Sequence, residues 1–190
     1  MRKTLHASLR TGGNIIEAHL RGHPPRSPGF FVLLDGSRSM SEYAPHMMQF
    51  TRALCNRTRR AKAFLFSTKL REITDELRKA GASQAFRLDG LGEAWGGGTR
   101  IGGSLAECVR RHSGQLNDRA FFIVISDGLD VGEVAVLQRA LRQIARRCAG
   151  VVWLNPHAGQ PGYAPSAGGM RAALPYVKLV GSLDELAAHA

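Results

Sequence analysis

Cysteine, acidic residues and long apolar runs are all scarce in this chain. The three cysteines, Cys55, Cys108 and Cys148, are scattered, odd in number and outside metal-ligand spacing. That pattern argues against a disulfide framework or a thiolate zinc site, and for buried free thiols in a reducing cytoplasm. No stretch approaches the ~20 consecutive apolar residues of a membrane span. The amino terminus, Met1-Arg2-Lys3-Thr4-Leu5-His6, is basic but lacks the apolar core of a secretory signal.

Signatures of catalysis are missing as well. None of the seven histidines stands at a spacing that marks a catalytic base. The glycine-rich stretch Gly96–Gly103 lacks the Gly-Lys-Ser/Thr ending of a phosphate-binding loop, and Ser37 is not in a Gly-x-Ser-x-Gly elbow. A phosphatase using Asp35 as nucleophile would want a second carboxylate two residues on as general acid, and Ser37 stands there. Catalysis is therefore disfavoured. The shortage of acid, 15 Asp and Glu against 26 Lys and Arg, gives a net charge of +11. Such a balance favours acidic partners: nucleic acid, an anionic membrane surface or an acidic protein face. The densest basic stretch, Arg52 to Arg71, comes with no recognisable nucleic-acid module, so a solvated helix face is preferred for it. A basic nucleic-acid binder is the rival hypothesis for the chain.

What is present is a globular composition, 44% apolar and 22% charged over 190 residues, enough for one domain with a real core. Phe30 to Leu34 are five large apolar residues in a row, too short for an ordinary helix and suited to a central strand covered on both faces. The run ends on Asp35, followed by a turn carrying Ser37 and Ser39. Ala120 to Ile125 form a second apolar run that ends in Ser126-Asp127-Gly128. Further strands are predicted at Lys62–Ser67, Leu70–Thr74, Val151–Leu154 and Tyr176–Val180. Helices are predicted at Ala44–Arg59, Asp75–Ala80, Gly132–Arg147, Met170–Leu174 and Leu183–Ala188. Val134, Leu137, Leu141, Ile144 and Ala145 are expected to face inward from the helix at 132–147. Ser104 with Glu107 reads as a capping box for a helix through about His112. Alternating strands and helices predict an α/β fold with a mainly parallel central sheet and helices on both faces. Residues 1–29 form a lead-in, with a short helix over 2–11 and an edge strand at 16–20, and residues 30–190 form the domain proper.

Three separated segments thus supply oxygen ligands at the kind of place where open α/β sheets bind ligands, beyond the carboxyl ends of strands. Asp35, Ser37 and Ser39 follow one core strand, Asp127 follows another, and Thr99 sits in a glycine-rich loop before a helix. If the two strands are neighbours, all five oxygens can converge on one hard divalent cation. An Asx-turn and helix cap would explain Asp35 and Ser37 alone but not the coordinated appearance of Thr99 and Asp127. Asp130, close by in sequence, is read as a helix N-terminal acid, and Trp95 and Trp153 as packing residues.

The pattern resembles the von Willebrand factor type A (VWA) domain with its metal-ion-dependent adhesion site, whose Asp-x-Ser-x-Ser, distant Thr and distant Asp map onto Asp35, Ser37, Ser39, Thr99 and Asp127. The resemblance implies a Rossmann-like sheet and a Mg²⁺ ion, with Mn²⁺ or Ca²⁺ as alternatives. The two serines and the threonine would contact the ion, the aspartates would act largely through water, and a partner's carboxylate would complete the site. The likeness extends to the bacterial CoxE-like branch through Thr4-Leu5, Ser8-Leu9-Arg10-Thr11-Gly12-Gly13, Gly97-Gly98-Thr99-Arg100-Ile101-Gly102, Val152-Trp153-Leu154-Asn155-Pro156, Gly162-Tyr163-x-Pro165 and Gly169-Met170-x-x-Ala173-Leu174-Pro175. That branch implies a cytoplasmic adaptor working with a MoxR-type AAA+ ATPase on a client metalloenzyme such as aerobic carbon monoxide dehydrogenase. It usually carries a long N-terminal helical region, so the chain is expected to be a fragment or short form. Gly36 and Arg38 stand where the family usually has Val and Gly. Neither slot supplies a ligand, so the metal site is expected to survive, with Arg38 either weakening the ion or attracting an acidic partner.

Overall fold

The computed structural model describes residues 28–80 and 98–182. The expected lead-in helix and edge strand, Trp95 and the closing helix at 183–188 lie outside these residues. The described chain forms β1 (Gly29–Asp35), a 3₁₀ turn (Arg38–Met40), α1 (Ala44–Arg57), β2 (Ala61–Phe66), β3 (Leu70–Glu72) and α2 (Thr74–Lys79). It continues with α3 (Ile101–His112), β4 (Ala120–Ile125), α4 (Val134–Arg147), β5 (Gly150–Leu154), α5 (Gly168–Ala173), a 3₁₀ turn (Leu174–Tyr176) and β6 (Lys178–Val180).

The strands lie in the order β3-β2-β1-β4-β5-β6, and only β3 runs antiparallel, to β2. From β1 the chain works outward through β2 and β3, then returns to β1's other side with β4 and works outward the opposite way. The order therefore reverses between β1 and β4, and the crevice above their carboxyl ends is where such sheets take ligands. Phe31 to Leu34 and Phe122 to Ile125 are apolar without interruption because both faces are covered there. Phe31 and Leu33 of β1, with Phe122 and Val124 of β4, pack under Ile101, Leu105 and Cys108 of α3 and Leu137, Leu141 and Ile144 of α4. Val32 and Leu34, with Ile123 and Ile125, meet Met47, Met48 and Cys55 of α1 and Leu77 of α2 on the other face. This is the doubly covered, mainly parallel α/β sheet that the apolar runs predict.

Several boundaries differ from expectation. The capping box at Ser104 and Glu107 is not used: Ser104 is buried inside α3, which begins three residues earlier at Ile101. The carboxylate of Asp130 reaches over from the β4–α4 loop and accepts the Ile101 and Gly102 N–H groups at 3.0 and 3.3 Å, so the helix starts there instead. Gly102, a poor helix former, is kept because a Cβ there would lie 2.7 Å from the Leu137 backbone nitrogen, where α3 crosses α4. In α4 the buried line is Leu137, Ala140, Leu141 and Ile144, while Val134 and Ala145 are exposed. β6 is shorter than expected, since Leu174–Tyr176 close into a 3₁₀ turn. Trp153 is a packing residue, fully buried, with its indole N–H donated to the Ser126 carbonyl at 2.9 Å. Cys55 and Cys108 are buried, Cys148 is half-buried, and all three are free. Among the described residues no helix is long and apolar enough to cross a membrane.

Candidate metal centre

Asp35 is the last residue of β1 and is completely buried. It accepts three hydrogen bonds from three segments. The Ser37 backbone N–H donates to Oδ1 at 2.8 Å, closing an Asx-turn as the chain leaves the strand. The Thr99 hydroxyl donates to the same oxygen at 3.3 Å across 64 residues of sequence. The Ser126 hydroxyl donates to Oδ2 at 2.6 Å. This last bond follows from register: Leu34 sits opposite Ile125, so the next residue of each strand meets its counterpart.

The remaining hydroxyls are positioned by local structure. Extended backbone at Ser37 leads into the 3₁₀ turn Arg38–Met40, whose buried Met40 anchors it in the core beneath. That turn brings the Ser37 and Ser39 hydroxyl oxygens within 3.1 Å of each other, Ser37 buried and Ser39 exposed. Thr99 is buried, and its carbonyl accepts the Val131 N–H at 2.9 Å, which ties it to the β4–α4 loop. The Arg100 N–H, bonded to the Ser67 carbonyl at 2.9 Å, ties the same segment to the end of β2.

Asp127 lies beyond β4 beside this cluster and is 6% exposed. Its Oδ1 accepts the Leu129 N–H at 2.9 Å, and its main-chain carbonyl accepts the Asn155 side-chain amide at 3.1 Å. Its Oδ2 is buried with no hydrogen-bond partner among the described residues, an orphaned carboxylate oxygen of a kind native proteins rarely leave. Burial pushes the Asp35 carboxyl above its usual range; the bonds from Ser126 and Ser37 oppose the shift, and the nearby charge of Asp127 adds to it. Among the described residues no ion pair engages either acid. Two buried carboxylates thus stand together with no described cation paired to balance them.

Asp35, Ser37, Ser39 and Thr99 are linked directly by hydrogen bonds, and Asp127 joins them through its neighbour Ser126 and its charge. The donor set is carboxylate and hydroxyl oxygen, and the described residues hold no group of three or more His, Cys, Asp or Glu. Such a set could hold a hard, oxygen-seeking divalent cation and is poorly suited to zinc or copper. The orphaned Oδ2 of Asp127 is the atom that such an ion, or its water, would satisfy.

Three contributors escape a reading of the sequence. Ser126 stood in plain view in an oxygen-rich turn, but its bond to Asp35 requires the β1–β4 register. Asp130 is a helix N-terminal acid, yet the helix is α3, beginning 29 residues earlier, and its Oδ1 also accepts the Gly132 N–H at 2.9 Å. Asn155 bridges the Asp127 carbonyl and, at 2.9 Å, the Tyr163 hydroxyl, a support that only long-range folding creates.

Over residues 1–188 the sequence matches the family model described as "VWA domain containing CoxE-like protein". No curated protein matches it. Among solved structures the fold is similar to a von Willebrand factor type A protein from Catenulispora acidiphila, with 17% identity and a TM-score of 0.52 over 86% of this chain. This chain spans 41% of that protein's length. Also similar are an aerotolerance-related membrane protein from Bacteroides fragilis NCTC 9343 (14% identity, TM-score 0.49, 85% of this chain and 94% of that one) and the SpRpn10 VWA domain (11%, 0.44, 86% and 95%). At such identities the first of these supports the Rossmann-like α/β fold and nothing finer.

Proposed function

The chain belongs to the VWA domain containing CoxE-like family, and from that premise we propose that it is a Mg²⁺-dependent protein-interaction module. Its role would be that of a cytoplasmic adaptor between a MoxR-type AAA+ ATPase and a client metalloenzyme of the aerobic carbon monoxide dehydrogenase kind. The observation that carries the metal part is the pair of buried, uncompensated acids Asp35 and Asp127, one with an orphaned oxygen. When bound, a divalent cation supplies a positively charged position that a partner's carboxylate can complete.

The residues divide the work by charge. Ser37, Ser39 and Thr99 offer neutral hydroxyl oxygens, and Asp35 and Asp127 would hold water around the ion. Neutral direct ligands leave more of the ion's charge available for an incoming Glu or Asp. Asp35 also orients the hydroxyls, accepting from Thr99 and Ser126, while Asp130 and Asn155 fix the loops that carry Thr99 and Asp127. Mg²⁺ suits the set if water fills part of its octahedron, and Mn²⁺ or Ca²⁺ could substitute. The proposed role includes no catalytic step.

The test compares wild type with Asp35→Ala and Asp35→Asn in Mg²⁺ and in EDTA. Both variants should lose the metal-induced rise in Tm and the metal-dependent capture of the ATPase or client. The Asn variant keeps an acceptor for Ser37 and Thr99, which guards against simple misfolding. Unchanged capture by a folded variant would sink the proposal.

A further inference from the structure

Leu129 and Val131 are the two most exposed of the large hydrophobic side chains among the described residues, at 56% and 72%, and both sit on the loop that carries Asp127. Single exposed aliphatics are ordinary, whereas a cluster at the rim of a polar site marks an interaction surface. These two are held there. The Leu129 N–H is bonded to the Asp127 carboxylate, and the Val131 N–H to the Thr99 carbonyl. Asp130, between them, is locked by bonds to Ile101, Gly102 and Gly132. Val134, the first residue of α4 and three positions beyond Val131, is a third exposed aliphatic at 44%. The Asp127 carboxylate and the Thr99 carbonyl thus brace the loop that holds these exposed aliphatic side chains. Two exposed cations flank the same residues in the chain: Arg38 between the two serines, and Arg100 after Thr99.

We infer that the site is built for an acidic residue next to a large apolar one on the partner protein, with Leu129, Val131 and Val134 receiving the apolar side chain. This rests on the proposed metal site and adds to it a rule for the partner. The carboxylate completes the ion's shell, Arg38 and Arg100 favour its approach, and the aliphatic contact supplies affinity that a lone carboxylate in water would lack. Charge complementarity selects an acidic partner segment over a second copy of this strongly basic chain.

A phage-displayed random peptide library, selected on the immobilised protein in Mg²⁺, tests the rule. Enriched peptides should place Asp or Glu within two positions of Leu, Ile, Met or Phe and should detach in EDTA. Their affinity should fall about tenfold or more in a Leu129→Ser/Val131→Ser double variant, since two aliphatic contacts are lost. The double variant should keep the wild-type Mg²⁺-induced rise in Tm. If that rise is present but the library enriches nothing, enriches acids without apolar neighbours, or yields peptides indifferent to the double variant, the inference fails and the metal site stands. If the wild type shows no Mg²⁺-induced rise, the metal site itself fails and the partner rule falls with it. A concentration-dependent dimer abolished by the double variant would assign these side chains to a second copy and overturn the proposal.

Discussion

The two ends of the sheet carry opposite charge, and the fold accounts for only one of them. At the amino ends of the strands lies a cleft of about 380 Å³ lined by Arg59, Arg60 and Lys62 with Gln115, Asn117 and Phe31. The last turns of α1, α3 and α4 bring Arg57, Arg110, Arg111, Arg146 and Arg147. Cations belong at helix carboxyl termini, where they complement the macrodipole, and Lys62 already pairs with Glu72 at 3.1 Å. These charges are largely exposed and cost the fold little. At the carboxyl ends the buried charges, Asp35 and Asp127, are acidic, and among the described residues they have no ion pair and one of their oxygens has no hydrogen-bond partner. Hydrogen bonding offsets that cost only in part, since the Asp35 carboxyl stays above its usual range and Asp127 Oδ2 has no partner among the described residues. A buried charge that the fold does not balance is better evidence of a ligand than a larger number of exposed charges that it does.

Removing the acid should therefore have the largest effect. At a Mg²⁺ concentration one hundred times Kd, a ligand that binds only the folded state adds about 2.7 kcal/mol. For a chain of this size that corresponds to a rise in Tm on the order of 5–10 °C. Asp35→Asn should abolish the rise, as read by differential scanning calorimetry in Mg²⁺ against EDTA. In EDTA the same variant should be more stable than wild type at neutral pH. The folded pKa of Asp35 lies above its unfolded value, so its contribution is fully present below the unfolded pKa and is lost as pH rises through the folded pKa. The advantage of Asn should therefore shrink as pH falls toward the unfolded carboxylate value and grow toward neutrality. Urea denaturation across that range checks it, and a metal-free wild type at least as stable as the variant at pH 7 would erase the contrast between the two ends.

A smaller effect is expected from the loop's support. A Cβ on Gly169 would lie 2.6 Å from the Gly128 carbonyl oxygen and 3.0 Å from Asp130 Cβ, so α5 presses directly on the loop that carries Asp127. Gly169→Ala should cost about 1–3 kcal/mol by overpacking and should weaken Mg²⁺ binding without touching a proposed ligand. Gly168→Ala, with nothing within 4 Å of its Cβ, is the matched control and should be neutral or slightly stabilising. Chemical denaturation and metal titration of the pair separate pressure on the loop from a generic change of glycine.

Much of this contrast was legible in the chain. The apolar runs at Phe30–Leu34 and Ala120–Ile125 identify the two central strands, and the residues that follow them place Asp35 and Asp127 at one end of the sheet. The start of α3 was not legible. Ile101-Gly102-Gly103 reads as loop by propensity, and tertiary packing against Leu137 with capping by Asp130 overrides it. The role of Ser126 needed strand register, and the outward turn of Val134 and Ala145 needed the angle at which α4 meets the sheet. Local pattern reports which residues can make a strand end or a helix face; partners that arrive from 29 or 91 residues away leave no local mark.

The smallest effect should come from the amino end. Replacing Arg59 and Arg119, both exposed, with Gln should change stability by no more than about 0.5 kcal/mol. The Mg²⁺-induced rise in Tm should stay at its wild-type size, because no side chain of the metal centre is touched. The same variant addresses the rival reading of the chain as a nucleic-acid binder. Contacts to phosphate release counterions, so binding that depends on them falls steeply with salt. A gel shift with generic duplex at two salt concentrations, with and without EDTA, should show no tight complex for wild type or variant. A complex that weakens steeply with salt, ignores EDTA and is lost on replacing the two arginines would make the amino end a working surface. The charges there would then need a ligand as much as the buried acids do, and the distinction drawn between the two ends would no longer hold.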